Sequence, residues 1–245
     1  MVKIFENEQL VAEAIANEML RHLEAEFPVF CLASGSTPSK GYDLFAKAVA
    51  SKIVSLKRLK FVSLDEWVGI DKDNIGSCYQ MLNEDLFQKL DLESDQVIFY
   101  DGVATDVSLE CQRIDGFVNE CGITFSLMGV GMNGHIGLNE PGFPKEFGSS
   151  VVKLSDTTKE VAQKYFKEKT VLEEGITLGL GQIINSKRVI VVVTGAHKAQ
   201  IVKEIFEKKS ADIPASQLLG YDHIDFYLDA EAVKYALDEG LIYDL

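Results

Sequence analysis

The sequence predicts an α/β fold: an open, mostly parallel sheet with helices on both faces, in a single domain spanning residues 1–245. Two observations carry this expectation. Apolar runs of four to seven residues, the kind that form strands buried on both faces, alternate with stretches whose apolar residues recur at helical spacing. Small polar and glycine-rich clusters then follow the runs, at 34–37, 65–66, 129–142 and 194–198. In an open α/β sheet such clusters converge on one crevice outside the carboxyl ends of the strands. No proline-rich linker, low-complexity tract or internal repeat divides the chain.

Each element has its own local reason. Residues 7–26 place Leu10, Val11, Ala14, Ile15, Met19, Leu20 and Leu23 at helical spacing. The run 28–33 reads as a buried strand and ends in Ser34-Gly-Ser-Thr-Pro38, after which Leu44, Phe45, Ala48 and Val49 continue a helix. Pro38 suits the first helical turn, where its missing N–H is harmless. A strand is expected at 60–64 with Asp65 and Glu66 just past it, a helix at 77–90, a strand at 96–100 and a helix at 106–121. The strand 123–128 leads into a loop with glycine at 129, 131, 134, 137 and 142. A helix over 156–169, a strand at 176–180 and a helical turn at 181–186 come next. The most apolar strand, 188–194, opens through Gly195 to Lys198 into another helix, and a short helical piece at 214–219, a strand at 224–228 and a helix at 230–237 complete a Rossmann-like alternation.

Composition narrows the class. With 47% hydrophobic and 25% charged residues, the 245-residue chain has the balance of a soluble globular protein with a sizeable core. No apolar stretch is long enough to span a bilayer, and the acidic first residues lack the basic-then-apolar pattern of a signal peptide. Cysteines 31, 78, 111 and 121 show no CxxC spacing and are expected to be reduced thiols of a cytoplasmic protein. A net charge of −14 argues against nucleic-acid binding, so an anionic substrate has to be attracted by local amides and a few placed cations. A homo-oligomer is left open.

Three clusters can carry chemistry. Ser34, Gly35, Ser36 and Thr37, at a helix N-terminus, can cradle a dianion with backbone amides and hydroxyls, although Ser and Thr also cap helices in the ordinary way. The spacing is not that of a nucleotide P-loop. Lys198, at another helix start, can add one cation. Asp65 and Glu66 are neighbours, so in an extended segment one faces the crevice and the other a structural partner. A carboxylate beside Trp67 is expected to be partly desolvated, which raises its pKa towards that of a general base. His135 and Glu140, within the glycine-rich loop, can form a base and its orienting partner. No cluster shows metal-ligand spacing, so neither a metal nor a cofactor is expected.

The motifs SGSTP at 34–38, LDEW at 64–67, GVGMNGHIGLNEPG at 129–142 and VTGAHK at 193–198 stand in the order and approximate spacing of the glucosamine-6-phosphate deaminase/isomerase family, which the sequence resembles over nearly its whole length. The Asn-Glu-Pro after Gly-His is a mark of the deaminases; the related 6-phosphogluconolactonases are similar only up to the Gly-His. The resemblance implies ring opening of a 2-amino-2-deoxyhexose 6-phosphate, isomerisation through an enol-type intermediate and loss of ammonia. It implies His135 as acid/base at the ring oxygen, with Glu140 orienting it, and Asp65 as the group that shuttles a proton between C2 and C1. Residues 34–37 and Lys198 hold the phosphate, with Gly129 and Gly137 beside the substrate. Lys164 stands where the glucosamine-type enzymes carry a phosphate-binding arginine, whose bidentate fork a lysine does not reproduce.

Departures from the family pattern are informative. Asn133 replaces an aspartate that completes an Asp-His-Glu set in the hexameric, allosteric enzymes. An amide can orient the imidazole by hydrogen bonding but adds no charge. The basic effector-binding cluster of those enzymes gives way to Ser149-Ser-Val-Val152, so their allostery is not expected. Asn133, together with Asp-Glu-Trp at 65–67, Gly76-Ser-Cys78 and Ile213-Pro-Ala-Ser216, is similar to bacterial galactosamine-6-phosphate deaminase/isomerases, which implies tagatose 6-phosphate as the product. The alternatives are glucosamine-6-phosphate deaminase, 6-phosphogluconolactonase, which needs neither Glu140 nor Asp65, and a non-catalytic sugar-phosphate sensor. A sensor of the repressor type is expected to carry a basic DNA-reading module, which residues 1–27 are too few and too acidic to form.

Overall fold

The structure, a computed structural model, describes residues 1–52, 54–144, 148–208 and 212–242. Seven strands form one sheet in which every neighbouring pair is parallel. They are β1 (Val2–Phe5), β2 (Val29–Leu32), β3 (Lys60–Ser63), β5 (Val97–Ile98), β6 (Phe125–Gly129), β9 (Val189–Val193) and β10 (Ile224–Asp229), in the spatial order β1-β10-β9-β6-β2-β3-β5. The remaining strands, β4 (Asp65–Trp67), β7 (Ser150–Lys153) and β8 (Glu174–Thr177), make a small antiparallel sheet in the order β4-β8-β7.

Side-chain alternation along the central strands feeds two cores, one on each face. Val29 and Cys31 of β2, Met128 of β6 and Val189, Val191 and Val193 of β9 point to one face. Phe30, Leu32, Phe125, Leu127, Ile190 and Val192 point to the other. That second face is covered by α1 (Glu8–His22) and α2 (Ser36–Lys52). The first is covered by α4 (Val107–Cys121), α6 (Leu180–Ile184), α7 (Ala199–Lys208) and α8 (Ala230–Asp238). A third apolar cluster, around Trp67, Leu138, Val152 and Leu154, fastens the small sheet and links it to α3 (Cys78–Asp85) and α5 (Asp156–Ala162). Among the described residues no helix is long and apolar enough to cross a membrane.

The parallel sheet is the one the sequence predicts, but the small antiparallel sheet was not anticipated, and neither was β1. Residues 65–67, expected just past the end of the strand at 60–64, form a separate short strand that pairs with β8. The strand expected at 176–180 lies at Glu174–Thr177, because Gly179 starts the turn of α6 and Leu180 already belongs to that helix. The helix expected over 156–169 stops at Ala162 and tightens into a 3₁₀ turn at Gln163–Tyr165. The Gln163 side chain holds that end, donating to the carbonyls of Lys159 and Thr170 and accepting the Thr170 N–H.

Candidate active site

The chain runs outwards from β2 through β3 to β5, returns to β6 on the other side of β2, and continues through β9 and β10. The direction of winding therefore reverses between β2 and β6, which is where an open α/β sheet leaves a crevice. Loops after β2, β3, β6 and β9 all open into one cleft there. Ser34, Gly35, Ser36, Thr37, Asp65, Gly129, His135, Gly137, Lys164 and Lys198 line it together. Asn133 and Glu140 do not; they stand behind His135.

At one end of the cleft the turn after β2 meets the N-terminus of α2. Ala33 keeps the sheet register by donating to the Leu127 carbonyl, and its own carbonyl accepts the Tyr42 hydroxyl at 2.6 Å. Gly35 then turns with φ +100°, and a Cβ there would lie 3.2 Å from the Tyr165 hydroxyl. The first turn of α2 contains no acidic residue, so its free N–H groups face the cleft without a competing carboxylate. Lys198 occupies a 3₁₀ turn, Ala196–Lys198, that leads into α7, and its Nζ donates to the Val130 carbonyl at 2.6 Å. Burial first, and the neighbouring Lys164 charge second, bring the Lys198 ammonium down to about 8. Two lysines and a helix N-terminus thus gather positive potential in the cleft of a strongly acidic molecule.

The two acids after β3 separate as the extended backbone requires. Asp65 lines the cleft while only 8% exposed. Burial, together with the charge of Glu66, raises its pKa to about 7, against a lowering hydrogen bond from the Cys78 thiol. Glu66 points away, is fully buried and accepts four hydrogen bonds. Trp67 N–H and Cys78 N–H reach Oε1, both at 2.9 Å, while the Ser77 hydroxyl at 2.6 Å and Tyr79 N–H at 3.0 Å reach Oε2.

The loop after β6 presents the imidazole. Gly131 N–H donates to the His135 carbonyl and Gly134 N–H to the Gly131 carbonyl, closing a tight turn. A Cβ on Gly131 would come within 2.3 Å of the His135 ring, so only glycine admits the imidazole there. Asn139 fastens the far side of the loop by donating to the carbonyls of Ile136 and Leu178, both at 2.8 Å. The His135 Nδ1 lies 3.8 Å from Glu140 Oε2, beyond hydrogen-bonding distance, but 3.1 Å from the Thr158 hydroxyl. Thr158 Oγ1 also accepts the Ser155 hydroxyl at 3.0 Å, and Ser155 N–H donates to Glu140 Oε1 at 3.1 Å, so the expected pair is linked through Ser155 and Thr158 rather than directly.

Asn133 also departs from expectation. Its carbonyl accepts the backbone N–H of His135 at 3.2 Å, and its amide donates to Glu140 Oε2 at 2.7 Å and to the Ser155 hydroxyl at 3.1 Å. It therefore orients Glu140 and the loop backbone rather than the imidazole. Burial pushes the Glu140 carboxyl up, but hydrogen bonds from Thr158, Ser155 N–H and Asn133 and the neighbouring imidazole together hold it below its ordinary value. Burial lowers the His135 pKa, with the Lys198 charge adding to the effect and Glu140 opposing it. The ring is thus neutral at pH 7. Thr158 and Ser155 were missed as site residues. Their signal in the sequence is the helix start at 155–156: Ser155 is the N-cap of α5, accepting the Thr158 N–H.

Residues 6–224 match the family of glucosamine-6-phosphate isomerases and 6-phosphogluconolactonases. A glucosamine-6-phosphate deaminase of Bacillus pumilus is 33% identical over 237 residues, covering 95% of this chain and 98% of that protein. Glucosamine-6-phosphate deaminase 1 of Bacillus subtilis is 32% identical over 84% of this chain and 86% of its own length. Among solved structures, a monomeric glucosamine-6-phosphate deaminase superposes with a TM-score of 0.90 at 29% identity, covering 95% of this chain and 98% of that one. The 6-phosphogluconolactonase of Thermotoga maritima shares the fold, at a TM-score of 0.75 and 19% identity, over 94% of this chain and 99% of its own. The chain belongs to the glucosamine-6-phosphate isomerase/6-phosphogluconolactonase family and, within it, is an enzyme of the amino-sugar-phosphate deaminase/isomerase type.

Proposed function

We propose that this enzyme converts galactosamine 6-phosphate to tagatose 6-phosphate and ammonia in the cytoplasm. The observation that carries the deaminase reading is the placement of Asp65 and His135 in one cleft with Ser34 to Thr37, Lys164 and Lys198. A phosphate held by these last residues fixes a six-carbon chain so that its C1 and C2 reach the acid–base groups, an orientation effect on the order of several kcal/mol.

The steps balance without a cofactor. His135 takes the proton of the anomeric hydroxyl and returns it to the ring oxygen, which opens the ring to the aldehyde. The Asp65 carboxylate removes the C2 proton while a proton from solvent adds to O1, which gives the 1,2-enolamine, and then delivers its proton to C1, leaving an iminium at C2. Water adds to that iminium and the nitrogen departs as ammonium, leaving the 2-ketose 6-phosphate. An Asp65 pKa near 7 suits both halves of the shuttle, since the group must take a proton from carbon and then give it back.

The galacto epimer is favoured by the resemblance carried by Asn133, Gly76-Ser-Cys78 and Ile213-Pro-Ala-Ser216. The gluco epimer is the second reading, favoured by the names of the relatives. Coupled ammonia release from the two sugar phosphates, side by side, tests both. Faster release from galactosamine 6-phosphate is expected; a preference for the gluco epimer would transfer the proposal to glucosamine 6-phosphate, and no ammonia from either would sink the deaminase reading.

A further inference from the structure

Glu66 is the one buried carboxylate at the edge of the cleft for which the proposed reaction has no use. It sits on the opposite side of β4 from Asp65, with no exposure, and all its hydrogen-bond partners are donors. Two of them, Cys78 N–H and Tyr79 N–H, are free amides at the start of α3, where the helix dipole also favours negative charge. The shortest is the Ser77 hydroxyl at 2.6 Å, a charge-assisted length. Asp65, in contrast, has the Cys78 thiol as its side-chain donor. Burial raises the Glu66 carboxyl as well, but its four hydrogen bonds oppose that rise. Two adjacent carboxyls with such unequal donor sets ionise in order, Glu66 before Asp65.

We propose that Glu66 is a positioning residue for catalysis: its carboxylate, fixed by four donors on the far side of β4, is the charged group that Asp65 faces while it takes a proton from carbon and returns it. This rests on the reading of Asp65 as the proton shuttle. The groups facing Asp65 from neighbouring elements are the Cys78 thiol of α3, the Cys31 thiol of β2 and the Tyr42 phenol of α2. Burial pushes all three upwards, so they are neutral at the working pH, and Glu66 supplies the charge that Asp65 feels. At an effective dielectric constant of about 20, a unit charge lying beyond contact distance is worth roughly one to two pH units.

The experiment compares the pH dependence of kcat/KM for the unaltered enzyme, Glu66→Gln and Glu66→Asp. Glutamine keeps an acceptor for the Trp67 and Cys78 amides but removes the charge. The acidic limb is expected to move down by one unit or more in Glu66→Gln and to stay in place in Glu66→Asp. A folded Glu66→Gln enzyme with an unmoved limb would overturn the proposal. A readout independent of turnover and of Glu66→Gln folding follows Glu66 itself. In Asp65→Asn protein with ¹³C-labelled glutamate, the Glu66 carboxyl should keep the midpoint of its first ionisation in the unaltered enzyme, because it ionises while Asp65 is still protonated and neutral. A Glu66 midpoint that falls by one unit or more would show that Asp65 ionises first and would refute the assignment of the standing charge to Glu66. Absence of ammonia release from the unaltered enzyme, with the Glu66 midpoint as expected, would instead refute the parent reading of Asp65 and with it the catalytic role of Glu66.

Discussion

Asp65→Asn should make the protein more stable above neutral pH while abolishing its exchange of the substrate C2 proton with solvent. The stability effect follows from the burial that tunes the base. In the folded state this carboxyl has a pKa of about 7, against an unperturbed 3.8. A group whose folded pKa is raised holds its proton more tightly when folded. Its contribution to stability is complete below about pH 4 and is lost as pH rises through 7. Above that, folding the ionised side chain into its site is disfavoured by about 4 kcal/mol relative to the protonated form. Asparagine is neutral throughout and nearly isosteric, so it escapes this penalty and relieves Glu66 of a like charge as well.

The difference between variant and unaltered protein should therefore be close to zero at pH 4 and grow to roughly 4 kcal/mol by pH 8. For a chain of this size that corresponds to a thermal midpoint higher by about 10 °C. Thermal melts followed by circular dichroism at pH 4, 5, 6, 7 and 8 measure it directly, and ¹H/²H exchange at C2, followed by NMR, reads the chemistry on the same samples. Midpoints that stay parallel across the whole range would refute the inference that Asp65 is held as a strained base. Exchange at the unaltered rate in the variant would remove Asp65 from the proton shuttle.

Two other perturbations probe the two ends of the cleft. Thr158→Val keeps the shape of the side chain but removes the hydroxyl between Glu140 and His135 Nδ1; kcat should fall by about 10- to 100-fold with KM nearly unchanged, and an unaltered kcat would show that the relay is not used. At the anion end, the Lys198 ammonium loses its charge as pH rises through about 8, so KM should climb above that pH. Lys198→Met should raise KM by about 10- to 100-fold at pH 7, the size of one charge-assisted hydrogen bond, and remove that rise; a KM still climbing through pH 8 in the variant would assign it to another group.

The parallel sheet was legible because strands buried on both faces carry unbroken apolar runs, as at 28–33, 60–64 and 188–194. What escaped were short, half-buried or polar strands. β1 has no fully buried residue, β7 is Ser-Val-Val-Lys at the edge of its sheet, and β4 is Asp-Glu-Trp. Their pairing depends on partners more than a hundred residues away for β4 and more than two hundred for β1, and no local pattern encodes that. The shift of β8 has a similar origin. Ile176, Leu178, Leu180 and Ile183 are all buried, so apolarity alone does not show where the strand stops and α6 begins. The positions of the cleft residues were nonetheless readable, since glycine, serine, a histidine and an acid at consecutive strand ends have one common destination in this fold.

The hydrogen bonds among those residues were not readable, and Asn133 shows why that matters. Residue type alone suggests an amide standing in for a carboxylate beside the imidazole. In the fold its amide instead donates to Glu140 at 2.7 Å, where a carboxylate would set two negative charges against each other. The Thr158 hydroxyl, 3.1 Å from His135 Nδ1, itself accepts the Ser155 hydroxyl, and the Ser155 N–H holds Glu140, so the imidazole and the carboxylate are linked through this helix start. A neutral imidazole with an open lone pair begins as a proton acceptor. In the proposed mechanism ring opening then starts by taking the proton of the anomeric hydroxyl, and the imidazolium so formed, beside the Glu140 carboxylate, protonates the ring oxygen. Under that proposal Asn133 acts through Glu140 and the His135 backbone rather than through the ring that moves the proton.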